Sequence, residues 1–155
     1  MNLKEKYKKT VIPVMQKQFG YKNVNAVPKI IKAVVNVGFG KLTQDAKIVE
    51  KVERVVKSIT GQKPLLTKAK KSISNFKVRE GSIIGAKVTL RGARMYDFLE
   101  KLVAVTLPRL RDFRGLQLKS FDAHGNLSIG FQEYNSFPEI SADEIDKSFG
   151  LEVAV

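Results

Sequence analysis

Cysteine and tryptophan are absent from these 155 residues, and there is a single histidine. Without thiols there can be no disulfide, no thiolate metal site and no cysteine nucleophile. His124 stands in an Asp-Ala-His-Gly-Asn turn pattern, which suits a solvated turn residue better than a general base. No His/Asp/Glu group has metal-ligand spacing. The acidic pairs Asp143/Glu144 and Asp45/Glu50 lack sequence neighbours that would shift their pKa values. Catalysis therefore has no support, and no metal or other cofactor is expected. No run approaches the roughly 18 apolar residues of a membrane span, and the opening MNLKEKYKKT lacks the apolar core of a secretory signal. The expectation is a cytoplasmic protein with no membrane partner.

What is present is positive charge on a foldable chain. Apolar residues make up 43%, too many for intrinsic disorder, and the length suits one domain over 1–155. The formal net charge is +13 and the pI about 10.0. Residues 1–95 hold 22 Lys/Arg against 5 Asp/Glu, whereas residues 96–155 hold 6 against 10. Generic solubilisation does not need that polarity. Separate basic and acidic faces serving different partners explain it.

The charge is densest over residues 63–94, where Lys63, Lys68, Lys70, Lys71, Lys77, Arg79, Lys87, Arg91 and Arg94 face only Glu80. Leu65, Leu66, Ile73, Phe76, Val78, Ile83, Ile84, Val88 and Leu90 are threaded between them, so the segment can fold and hold its charge on a fixed surface. Such cations displace counterions from a phosphate backbone, and Gln62, Thr67, Ser72, Ser74, Asn75 and Thr89 add polar groups for phosphate, sugar and base edges. Phe76 is the segment's one aromatic, which argues against single-strand binding by stacking. Structured RNA, read by shape and 2′-hydroxyls, fits better. Composition alone does not separate RNA from DNA, and a DNA-architectural or regulatory binder is the alternative. Gly38-Phe39-Gly40-Lys41 is neither GxxxxGK[ST] nor GxGxxG. It reads equally as a tight strand-to-helix turn and as a place where backbone meets RNA phosphate.

The hydrophobic spacing predicts the elements. Residues 2–18 form a basic amphipathic helix that Pro13 should break or kink. A buried strand covers 30–37. Ile48, Val49, Val52, Val55, Val56 and Ile59 define a helix capped at Thr43 or Asp45 and ended by Gly61. Strands at 65–67 and 86–90 flank a long connection over 70–85, and loops of that length are usually functional or mobile. A second long helix spans 93–111, its last turn bent by Pro108. A strand over 127–133 follows the His124-Gly125-Asn126 turn, Ser141 opens a capping box, and 151–155 is a closing strand. The mixture predicts an α+β fold, a mostly antiparallel sheet with helices on one face.

One run of residues carries a resemblance. SITGQKPLLTKAKKSISNFKVREGSIIGAKVTLRGARMYDFLEKL, followed by LPRLRDFRGL, SFDAHGN and FPEI, resembles the fifth protein of the bacterial large ribosomal subunit, a 5S RNA-binding family. FGYKNV, VPKI and VNVGFG extend the likeness over nearly the whole chain. The resemblance implies an antiparallel sheet with helices on one side and a long protruding basic loop. It implies a non-catalytic constituent of the large subunit that holds 5S ribosomal RNA in the central protuberance. Partners would be 5S RNA, large-subunit ribosomal RNA, the transfer RNA of the peptidyl site, neighbouring central-protuberance proteins and a basic protein of the small-subunit head.

Carried over by motif, Asn36, Gly38, Gly40, Gln62, Lys63, Thr67, Lys68, Lys70, Thr89 and Arg91 would meet 5S RNA. The loop 71–81, with Lys71, Ser72, Ser74, Asn75, Lys77 and Arg79, would reach transfer RNA. Arg109, Arg111 and Arg114, with the acidic Glu139, Asp143, Glu144 and Asp146, would form the subunit bridge. The family continues past the last strand into a further helix that this sequence, ending at Val155, lacks. Its absence would leave exposed the edge that helix would cover.

Overall fold

A computed structural model describes residues 2–40, 46–111, 113–140 and 149–155. Five strands, Ala33–Gly38 (β1), Leu65–Lys68 (β2), Ile83–Leu90 (β3), Ser128–Phe131 (β4) and Leu151–Ala154 (β5), form one sheet in the order β2-β3-β1-β5-β4. Every neighbouring pair is antiparallel. The α+β class and antiparallel sheet are as expected. The last strand, β5, lies between β1 and β4 and is paired on both sides, so among the described residues the sheet's edges are β2 and β4.

Side chains alternate across each strand, and here the alternation divides the sheet into a covered and an open face. Ala33, Val35 and Val37 of β1, Ala86, Val88 and Leu90 of β3, Val153 of β5 and Ile129 and Phe131 of β4 point into a single core. Two helices close that core. In Ala46–Thr60, the residues Ile48, Val52, Val55, Val56 and Ile59 recur at helical spacing and are all buried, while Lys47, Arg54 and Lys57 stay in solvent. Gly61 ends this helix as the spacing predicts, in the left-handed region at φ +67°, its N–H donating to the Lys57 carbonyl at 2.8 Å. The starting caps, Thr43 or Asp45, lie outside the described residues, as does the Ser141 capping box.

The second helix runs without a break through Gly92–Lys101, Leu102–Thr106 and Leu107–Arg109. It buries Met95, Phe98, Leu99, Leu102, Thr106 and Leu107. Its middle segment is wound in π turns, with the Leu107 N–H donating five residues back to the Leu102 carbonyl. The N-terminal helix repeats the device: Leu3–Lys6, Tyr7–Val11 and Ile12–Phe19 are continuous, and the Ile12 N–H reaches the Tyr7 carbonyl. Each π segment ends two residues before a proline, Pro13 or Pro108. Proline lacks the amide that the carbonyl four residues back would need, and its ring crowds that carbonyl. A wide turn just ahead of the ring relieves the crowding, so Pro13 does not break its helix.

Long-range bonds tie the periphery to this frame. The Leu3 N–H donates to Glu100 Oε2 at 3.2 Å, and the Tyr7 hydroxyl donates to the Pro28 carbonyl at 2.9 Å. Burial first, and the nearby Tyr96 second, push the Tyr7 phenol above its ordinary pKa. Lys101 Nζ donates to the Ile59 carbonyl at 2.6 Å and pairs with Glu139, joining the ends of three segments. No helix among the described residues is long and apolar enough to cross a membrane.

Candidate nucleic-acid interface

Among the described residues the face of the sheet away from the helices is uncovered, and strand register arranges its side chains in transverse rows. One row reads Leu65, Lys87, Asn36, Glu152, Gly130 from β2 to β4. A second reads Thr67, Gly85, Gly38, and a third Thr89, Val34, Ala154, Ser128. Apart from Leu65, Lys87 and Glu152, the residues are small or short. A smooth floor with one lysine and one carboxylate results.

Four of the candidate RNA-contacting residues, Asn36, Gly38, Thr67 and Thr89, fall on this floor. The others frame its ends. Half-buried Gln62 donates from Nε2 to the Thr89 carbonyl at 3.4 Å, and exposed Arg91 follows β3 at the same end. Lys63 is exposed but stands 3.6 Å from Glu53, so part of its charge is already answered. At the opposite end lie Gly40, Lys68 and Lys70. A register shift between Thr67 and Lys68 re-aims the exposed Lys68 side chain there. Phe39 holds the β1 exit in place, its N–H donating to the Ile84 carbonyl at 3.0 Å.

The connection between β2 and β3 is a bonded hairpin. Ala69 and Ser82 close its base at 2.8 Å, and Ile73 and Val78 exchange two backbone bonds at 2.9 and 3.2 Å. Lys77 turns the tip at φ 52°. Ser72 Oγ accepts from the Glu80 N–H at 2.8 Å, so that hydroxyl is engaged within the loop. Lys71, Ser74, Asn75, Lys77 and Arg79 are exposed, and Phe76 is 70% exposed. Between this hairpin and the start of β3 lies an apolar groove of about 910 Å³, lined by Ile73, Phe76, Val78 and Ile84 and rimmed by lysines.

The third group of candidates is dispersed. Arg109, Arg111 and Arg114 are exposed in and beyond the last turn of the long helix, near exposed Phe113, Leu116 and Leu118. Glu139 is not free for a partner, since it pairs with Lys101. Asp143, Glu144 and Asp146 lie outside the described residues. The His124 turn is organised by Asp122, which accepts from Asn126 Nδ2 at 2.6 Å and from the His124 and Asn126 amides at 2.8 Å each. These bonds, the Asn126 side chain's foremost, hold the Asp122 carboxyl below its usual range. No cluster of His, Asp and Glu among the described residues could hold a metal ion.

Lys87 and Glu152 are two face residues that motif resemblance does not single out. Alternation with buried Ala86 and Val88 is enough to assign Lys87. Alternation with buried Leu151 and Val153 likewise assigns Glu152, although its neighbours on the sheet come from other parts of the sequence.

Two family models cover most of the chain, "Ribosomal protein L5" over residues 23–79 and the C-terminal model of the same ribosomal L5 family over residues 83–155. The large ribosomal subunit protein uL5 of Halothermothrix orenii is 56% identical over 153 residues, 99% of this chain and 86% of that protein. Its counterpart from Streptococcus pneumoniae (strain Hungary19A-6) is 54% identical, over 99% of this chain and 85% of the relative. The chain belongs to the ribosomal protein L5 family. A member of this family is a structural constituent of the large ribosomal subunit and not an enzyme. In bacteria such a protein is cytoplasmic and ribosome-bound.

Proposed function

We propose that the open sheet face binds 5S ribosomal RNA and anchors it in the central protuberance of the large subunit. The observation that carries this reading is convergence. Asn36, Gly38, Thr67 and Thr89 come from three strands and meet on one uncovered face beside Lys87. A floor of small residues lets a double helix lie close, and polar groups at its surface suit 2′-hydroxyls and phosphates. Lysines and Arg91 at the two ends supply the salt-dependent grip.

The hairpin between β2 and β3, with Lys71, Ser74, Asn75, Lys77 and Arg79, reaches the transfer RNA of the peptidyl site. Its exposed cations and exposed Phe76 support this. The segment from Arg109 to Arg114, with the acidic Asp143, Glu144 and Asp146, meets a protein of the small-subunit head. The attraction is electrostatic, acidic side chains on this chain facing a basic partner.

Filter binding tests the first reading. Bacterial 5S RNA should bind far more tightly than a DNA duplex of equal length at physiological salt. Equal affinity for the two would remove the ribosomal RNA assignment and favour a DNA-binding role. Deleting residues 74–79 should spare 5S RNA binding and weaken transfer-RNA contact in assembled ribosomes, and loss of 5S binding would refute that division.

A further inference from the structure

Glu152 is the one carboxylate on the open face among the described strand residues, and it sits in the middle of it. Its register partners are Asn36 on one side and Gly130 on the other. The side chain is exposed and makes no ion pair or side-chain hydrogen bond among the described residues. The face's lysine, Lys87, lies two strands away, about 10 Å between backbones by strand spacing, and makes no ion pair with it. Gly130 leaves the space beside it clear, with no heavy atom within 4 Å of where a Cβ would stand.

A carboxylate is a poor neighbour for phosphate, because the two repel. It accepts hydrogen bonds and donates none. In RNA its matching donors are the 2′-hydroxyl and the N–H groups of base edges, and only the latter distinguish one base from another. Asn36 stands directly opposite across the β1–β5 pair and supplies an amide N–H that the carboxylate lacks. An acceptor pair beside a donor matches guanine, whose Watson–Crick edge offers N1–H and N2–H with O6 next to them. That edge is accessible only in an unpaired base, and a loop or bulge provides one.

We propose that Glu152 and Asn36 read the Watson–Crick edge of one unpaired guanine in the RNA lying on this face. The carboxylate accepts from N1–H and N2–H, and the Asn36 amide donates to O6. This rests on the open face being the 5S RNA platform, and it gives that platform base specificity at its centre.

The test compares wild type with Glu152→Gln and Lys87→Ala, using bacterial 5S RNA at two salt concentrations and kethoxal probing of unpaired guanines. Glu152→Gln keeps the shape of an exposed side chain and should fold normally, which circular dichroism checks. It should bind about five- to twentyfold more weakly, the loss expected for a bidentate base contact. Its salt slope should stay unchanged, because every phosphate contact remains. One guanine protected by wild type should become reactive with the variant at saturating protein. Inosine at that position should weaken wild type and leave Glu152→Gln unaffected.

Equal or tighter binding by Glu152→Gln, with Lys87→Ala still losing affinity and slope, would overturn the guanine contact and leave the platform standing. No effect from either substitution would overturn the platform itself. Weaker binding without a change at any guanine would overturn the guanine contact as well.

Discussion

Two glycines that face each other across β1 and β3 should respond in opposite ways to the same methyl group. Gly38 and Gly85 are register partners. A Cβ at Gly85 would stand 2.8 Å from the Val37 carbonyl oxygen and 2.8 Å from Thr67 Oγ1. The carbonyl belongs to the sheet backbone and cannot yield cheaply, so Gly85→Ala should cost about 1–3 kcal/mol, the range for overpacking. A Cβ at Gly38 meets nothing within 4 Å, and the backbone there is not in the left-handed region. Gly38→Ala should therefore be neutral or stabilise by about 0.5–1 kcal/mol, since glycine is entropically costly in a strand. Urea unfolding separates the two, and the melting temperature should move by about 2–4 °C per kcal/mol in opposite directions. Affinity for 5S RNA should not follow stability. On the proposed reading the Gly38 methyl projects from the floor that RNA backbone approaches, and losing one net hydrogen bond there costs about 1 kcal/mol, or about fivefold in Kd. A stable Gly38→Ala protein that binds 5S RNA like wild type would refute the claim that this floor is the contact surface.

Replacing Lys68, Lys70 and Lys71 together by alanine should flatten the dependence of log affinity on log salt by about 0.7–0.9 for each phosphate no longer neutralised, and an unchanged slope would place the contacts elsewhere. Lys101→Met removes the donor to the Ile59 carbonyl and the partner of Glu139. Urea denaturation should show a loss of about 1.5–3 kcal/mol, the range for hydrogen bonds to charged groups, whereas a loss near zero would mean the clamp does not hold the segments together. Asn126→Ala should raise the Asp122 pKa toward the ordinary carboxylate value, read by carbon-detected NMR titration. Because the folded pKa is depressed, the turn's contribution is present above the unfolded pKa and fades as pH falls through the folded one. An Asp122 titration unmoved by Asn126→Ala would assign the shift to the other donors.

Much of this fold is legible in local spacing. Ile48, Val52, Val55, Val56 and Ile59 repeat at a period only a one-faced helix satisfies, and the buried Ile129 and Phe131 alternate with exposed Ser128 and Gly130. Boundaries are less legible, for physical reasons. Apolar spacing begins β1 at residue 30, but Ile30 and Ile31 are exposed, 39% and 68%, and pairing starts at Ala33. The same spacing ends the β2–β3 connection at Gly85, because glycine usually punctuates strands. In the structure Gly85 is inside β3, where the approach of Thr67 and Val37 leaves no room for a side chain. The Lys101–Glu139 pair is illegible for another reason. Lys101 reads as a solvated helix residue and Glu139 as part of an acidic surface until the chain is folded.

Charge alone would have put the RNA contact wherever lysine is densest, but the proposed platform gives different work to different places. Lys68, Lys70 and Arg91 stand at the ends of the β2–β3 pair, whereas the floor between carries Lys87 as its one cation. Electrostatic grip at the ends carries no base sequence and weakens with salt. The floor's glycines, short polar side chains and single carboxylate contribute little attraction to phosphate, so what they decide is fit. Substitutions at the ends should therefore change the salt slope for any polyanion. Those at Gly38, Asn36 or Glu152 should change the preference for 5S RNA over other RNAs at constant slope. That separation does not arise for a protein that holds RNA by basicity alone, because there each substitution would shift affinity and slope together.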